Sequence, residues 1–215
     1  MTVIERLDAV REQWNVLRHP FYLRWSAGEL DRVELAFYAG EYRHAVVALA
    51  DATAGAAAGA DPELRAELVE HAAEERAHVA LWDEFAGALG AATDRPALPE
   101  SAECAAAWTA GDDLIERLAV LYAVESAQPA ISQTKLDGLT EHYGMGHDED
   151  ATSYFVLHAE RDHEHAAESR EVLLDRAGED DADRLVARAR EALRANWLLL
   201  DGVEAQFGRP RTAAA

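Results

Sequence analysis

The sequence predicts an all-α protein, a single bundle of seven to eight helices, and three observations carry that expectation. Alanine, leucine, glutamate and arginine dominate the chain, and all are good helix formers. Apolar residues recur at three- and four-residue spacing in segment after segment, whereas no stretch alternates apolar and polar as a strand would. The 6 prolines fall mainly near segment ends, where a helix tolerates them. With 215 residues and 49% hydrophobic content the chain can bury one core. One helical domain over residues 1–208 is expected, followed by a disordered tail over 209–215.

The elements follow in order. Ile4, Leu7, Val10, Trp14 and Leu17 form the stripe of a first amphipathic helix, closed by His19-Pro20. Asp31 followed by Glu34 reads as a capping box opening a helix from about 32 to 55. Asp61-Pro62 reads as an N-cap with proline in the first turn, and Gly90 as the stop. A loop over 91–99 leads to a short helix ending near Gly111, after which Asp112 caps a long helix that Pro129 must kink. A helix from Glu149 to about Ala177 and a last one from about Asp181 to Phe207 complete the chain.

A formal charge of −21 argues against nucleic acid and anionic membrane surfaces as partners, since phosphate binding needs clustered lysine and arginine. No segment reaches the roughly 18 uncharged apolar residues of a membrane span. The lone Cys104 excludes an internal disulfide framework, and with no signal peptide at the N-terminus a cytoplasmic location is expected.

The chemistry concentrates in a few stripes. In His158-Ala-Glu-Arg-Asp162-His-Glu-His165, a helix turning about 100° per residue brings both imidazoles and the carboxylate onto one narrow face. Such groups are costly to bury unless they bind something, and a metal is the natural occupant. A second stripe, His71-Ala-Ala-Glu74-Glu75-Arg-Ala-His78, contains the Glu-x-x-His spacing with which helix bundles present a carboxylate and an imidazole to paired metals. Charged residues at this spacing also form ordinary surface pairs. Glu125 stands in the apolar run Leu118-Ala-Val-Leu-Tyr-Ala-Val-Glu125, where a carboxylate needs a partner, and its isolation fits a bridging ligand. Glu41 is a further candidate, for metal or for substrate. Mixed carboxylate and imidazole donors suit iron or manganese better than structural zinc.

Glu125, followed after 33 residues by His158-x3-Asp162-x2-His165, resembles the haem-oxygenase-like di-iron oxidases, which share a fold with the TenA thiaminases and the pyrroloquinoline quinone synthase PqqC. The run from His78 to Gly90 resembles one branch in particular, the CADD-type para-aminobenzoate synthases. So does His19-Pro-Phe-Tyr22 with Trp25, Gly28, Leu30 and the Tyr38–His44 segment. The resemblance implies two iron ions (or iron plus manganese), with O2 and an external reductant as co-substrates and folate biosynthesis as the setting. It further implies a substrate made from the protein itself: Tyr22 is consumed, Lys135 donates the amino nitrogen, Tyr38 relays radicals, and the protein is a homodimer. The chain departs from the branch at His71, which stands where a metal-binding glutamate is expected. Either His71 binds metal, or Glu75 or Glu74 takes over. Competing readings are an oxygenase acting on an external amino acid or fatty acid, a metal-free TenA- or PqqC-like pocket for a heterocycle, and a non-catalytic interaction bundle.

Overall fold

The computed structural model describes residues 1–146 and 149–212; His147, Asp148 and Ala213 to Ala215 lie outside the description. The described residues form nine α-helices and no strand: α1 (Val3–Gln13), α2 (Pro20–Ser26), α3 (Arg32–Gly59), α4 (Arg65–Leu89), α5 (Pro99–Trp108), α6 (Leu114–Glu125), α7 (Gln128–His142), α8 (Ser153–Arg176) and α9 (Ala182–Gln206). The all-α bundle is as expected, with two more divisions than the periodicity showed.

Both extra divisions involve proline. α1 ends at Gln13, and Asn15 then accepts a bond from Leu17 N to hold a short 3-10 turn. Pro20 does not stop the chain but starts α2 in its first turn, while the His19 side chain caps the helix by accepting from Phe21 N. Pro129 likewise sits in the first turn of α7, so the expected kink is a break between α6 and α7. Arg11 fills part of that gap by donating to the Ser126 carbonyl at 3.2 Å.

Other boundaries move by a few residues. Asp61 accepts from Glu63 N and Leu64 N, so it caps a turn, and regular helix begins only at Arg65. Asp113, not Asp112, caps α6 by accepting from Glu116 N. The Asp31–Glu34 capping box and the left-handed stop at Gly90 stand as expected. Residues 209–212 of the expected tail are tied down: Arg209 pairs with Glu34 and Glu204, and Asp201 accepts from Thr212 N and Oγ1 at 2.9 and 3.1 Å.

α3 packs along α4, α6 and α7 both pack on α8, and α9 closes the bundle against α1, α5 and α6. Trp25, Trp82, Trp108, Phe21 and Phe85 are fully buried, so the core is rich in aromatic rings. Into this core α4, α6 and α8 turn their histidines and carboxylates. No helix among the described residues is long and apolar enough to cross a membrane.

Candidate metal centre

α4 brings His71, Glu75 and His78 into the core, the end of α6 brings Glu125, and α8 brings His158, Asp162 and His165. All seven are buried. The two stripes seen in sequence therefore face each other, and these seven residues gather in one part of the core.

Glu75 stands at the centre. Its Oε1 lies 3.1 Å from His78 Nδ1 and 4.0 Å from both His71 Nε2 and His165 Nδ1, while Oε2 is 4.0 Å from His158 Nε2. Two groups share it: His71, Glu75 and His165, and Glu75, His78 and His158. Within each group the donor atoms fall within 4.8 Å of one another. Glu125, expected at the bridging position, lies beside the first group, with Oε1 3.0 Å from His71 Nε2. α4 contributes to both groups, whereas α6 ends beside them at Glu125. At the point of departure from the branch, His71 and Glu75 both point inward.

Hydrogen bonds outside the cluster orient the imidazoles. His158 donates from Nδ1 to the Tyr154 carbonyl at 2.8 Å, which leaves its Nε2 lone pair facing inward. His165 Nε2 bonds Glu74 Oε2 at 3.2 Å, leaving Nδ1 to face the cluster. Glu74 thus steers a histidine from the rim, where Arg161 also reaches it, rather than joining the cluster. The inward-facing atoms His71 Nε2, His158 Nε2, His165 Nδ1, Asp162 Oδ2 and both Glu125 oxygens make no hydrogen bond among the described residues. Buried polar atoms are rarely left so. A convergent, thiolate-free set of them suits iron or manganese.

The electrostatics agree. Burial opposes charge on Glu75, but the His158 and His78 imidazoles hold its carboxyl far below the usual range. Burial raises Asp162 and Glu125; neighbouring carboxylates add to the rise at Asp162, whereas at Glu125 His71 works against it and Glu75 adds a little. His71 is desolvated, yet Glu125 and Glu75 lift its imidazole to about 9. Without cations the cluster holds protons that it would give up on binding them.

Glu41, a candidate ligand by sequence, is corrected. It is buried, but Oε2 accepts from Leu98 N at 3.0 Å and Ser101 Oγ at 2.8 Å, so it anchors the start of α5.

The second chamber surrounds Lys135 on α7. Its Nζ is fully buried, makes no hydrogen bond among the described residues, and lies 4.5 Å from the ring centre of Tyr42. Trp82, Phe155, Tyr38 and Tyr22 complete the cage at 5.3, 5.4, 5.6 and 5.8 Å. Burial alone lowers the amine to about 7, so much of it is uncharged at neutral pH. The Tyr22 and Tyr38 hydroxyls lie 3.3 Å apart, and burial holds both protonated. Trp25, one turn beyond Tyr22 on α2, donates to the Lys135 carbonyl at 3.1 Å and fixes the two elements together. Trp82 and Tyr154 link the chambers: their ring centres are 4.9 Å apart, and Tyr154 stacks on His158 at 4.0 Å.

No motif singles out Tyr42, Trp82, Phe155 and Tyr154 as site residues. Helical spacing alone ties three of them to ligand stripes: Trp82 lies four residues after His78, and Tyr154 and Phe155 lie four and three before His158.

Comparison with known proteins agrees with the fold. A haem-oxygenase-like domain of unknown function from Shewanella denitrificans superposes with a TM-score of 0.81 at 19% identity, covering 97% of this chain and 94% of that one. A TenA homologue from Pseudomonas syringae also gives 0.81 at 16% identity, covering 94% and 91%. In sequence, the 4-aminobenzoate synthase of Chlamydia muridarum is 32% identical over 213 residues, 94% of this chain and 89% of that protein. A protein of the same name from Nitrosomonas europaea is 30% identical, covering 96% and 92%. The family described as iron-containing redox enzymes matches residues 36–197, and with the geometry above the chain belongs to that haem-oxygenase-like family.

Proposed function

We propose that this oxidoreductase is a di-metal oxidase that makes 4-aminobenzoate, a folate precursor, from its own Tyr22 and Lys135. The observation that carries this is the cage, which holds an unpaired amine, in good part uncharged at neutral pH, among aromatic rings that include Tyr22 at 5.8 Å. The relatives named 4-aminobenzoate synthase support it.

Two iron ions, or iron plus manganese, would be held by the groups sharing Glu75, with Glu125 and Asp162 completing the donor set. Bound, such ions supply Lewis acidity and redox capacity for O2, with an external reductant as the electron source. The chain does the rest. Tyr154 and Glu74 aim His158 and His165. The aromatic walls exclude water, which keeps Lys135 Nζ nucleophilic. Tyr38 shares a proton contact with the Tyr22 hydroxyl and fits the role of relay. In this reading Tyr22 supplies the aromatic ring and Lys135 the nitrogen. A homodimer in the cytoplasm belongs to the same proposal.

Intact mass spectrometry after supplying iron, a reductant and O2 tests it. The expected result is loss of mass at Tyr22, modification at Lys135 and release of 4-aminobenzoate. An unchanged mass with no product would overturn the self-sacrifice.

A further inference from the structure

α2 is only 7 residues long, and helices that short are marginal by themselves, so its place in the bundle depends on what ties its ends. One end is fixed to α7: the Trp25 indole donates to the Lys135 carbonyl at 3.1 Å, and the Tyr143 hydroxyl donates to the Trp25 carbonyl at 3.0 Å. The other end rests on His19. Its Nδ1 accepts from Phe21 N at 3.0 Å, one residue before Tyr22, and its carbonyl accepts from Leu23 N at 3.1 Å.

This cap works in one form of the ring only. Accepting from Phe21 N needs a lone pair on Nδ1, which puts the proton of the neutral imidazole on Nε2. Nε2 lies 3.2 Å from Asp201 Oδ1, and both side chains are buried. The other tautomer would set two N–H groups against each other at Phe21, and so would a protonated ring. Burial disfavours the protonated ring by lowering the imidazole to about 4, although Asp201 opposes the fall. Asp201 is itself held. Thr212 N and Oγ1 converge on the same Oδ1, and the Trp197 indole, whose ring centre is 4.7 Å from that of His19, donates to the Thr212 carbonyl.

We propose that Asp201 is a positioning residue for Tyr22: by accepting from His19 Nε2 it keeps the α2 cap closed and the tyrosine in the wall of the lysine cage. The inference rests on the proposed self-sacrifice only for why the position of Tyr22 matters.

Lys135 is the single lysine of the chain, so lysine labelled with carbon-13 at Cε gives one signal that reports on the cage in full-length, metal-free protein. In the parent this signal should titrate near 7. In Asp201→Leu a loosened α2 admits water, and the midpoint should rise by about one pH unit or more. Asp201→Asn should keep the parent midpoint, because the three donors facing Oδ1 turn the amide oxygen towards them. His19→Asn supplies a cap that needs no tautomer, so adding Asp201→Leu to it should move the midpoint no further. Nitrogen-15 histidine spectra, assigned by the signal lost in His19→Asn, should show His19 protonated at Nε2 in the parent. With metal loaded, 4-aminobenzoate formed per chain should fall about 3- to 10-fold in Asp201→Leu and recover in Asp201→Asn.

A parent His19 protonated at Nδ1 would overturn the proposal, whether or not Asp201→Leu folds, and so would a Lys135 midpoint unmoved by Asp201→Leu. Product from the parent alongside either result leaves the self-sacrifice standing. An absence of product even from the parent overturns the self-sacrifice, while the tautomer and the titration still decide the positioning.

Discussion

Lys135 is an expensive residue to bury, and its cost has a measurable sign. The folded amine titrates near 7 and the unfolded one near 10.5. Between those values the unfolded chain binds the extra proton, so stability rises with pH through this window and is flat below it. Replacing the lysine by an apolar group of similar length removes both the penalty and the slope. Lys135→Met should therefore be more stable than the parent at pH 7, by roughly 3 to 5 kcal/mol, while making no 4-aminobenzoate. Denaturant melts at pH 7.5 and 9.5 check this; equal slopes in parent and variant would defeat it. At this scale the sequence was legible for the residues that converge, because seven residues on two stripes and one apolar run needed only helical geometry. It was not legible for Glu75 as the shared carboxylate, since a stripe tells which residues share a face but not which lies midway between two helices. The cage is drawn from five residues on four helices, and no local pattern announces it. Glu41 shows the opposite error: a buried carboxylate in a promising position that serves a loop.

Among the elements, α2 and α7 matter most, since one carries Tyr22 and the other Lys135. They meet closely because Gly138 has no side chain: a Cβ there would come within 2.6 Å of the Trp25 ring. Alanine in place of glycine within a helix ordinarily stabilises by about 0.5–1 kcal/mol. At Gly138 the overpacking term should win, so Gly138→Ala is expected to lose about 1–3 kcal/mol. It should also part Tyr22 from Lys135 and lower the 4-aminobenzoate formed per chain. Gly87→Ala in α4 is the control, since nothing lies within 4 Å of its would-be Cβ, and it should gain stability. Thermal melts of the two variants decide the matter, and a Gly138→Ala protein as stable as Gly87→Ala would refute the packing argument. The short α2 also shows where element reading stops. Pro20 serves equally as the end of one helix and the first turn of the next, and only the His19 cap, which depends on the ring nitrogen reaching Phe21 N, selects the second. Pro129 carries the same ambiguity.

For the whole molecule, the net charge of −21 sits on a bundle that also buries carboxylates against one another. Folding without cations therefore works against desolvation at Glu125 and Asp162, both of which are pushed towards their protonated forms. Divalent cations that bind the folded cluster and not the unfolded chain stabilise the fold by mass action, about 2.7 kcal/mol at a hundredfold excess over the dissociation constant. For a chain of this size each kcal/mol moves the thermal midpoint by roughly 2–4 °C. Ferrous iron or manganese added anaerobically should accordingly raise the midpoint by about 5–10 °C, and a chelator should reverse it. The shared carboxylate makes the effect diagnostic of the site. Glu75→Gln takes a ligand from both groups at once and should abolish most of the shift, with bound metal by elemental analysis falling from about two per chain to one or fewer. Glu41→Gln loses an anchor of α5 and should lower the starting midpoint while keeping the shift. A metal-induced shift of equal size in Glu75→Gln would place the cations elsewhere on the acidic surface and remove the cluster's claim to be the metal centre.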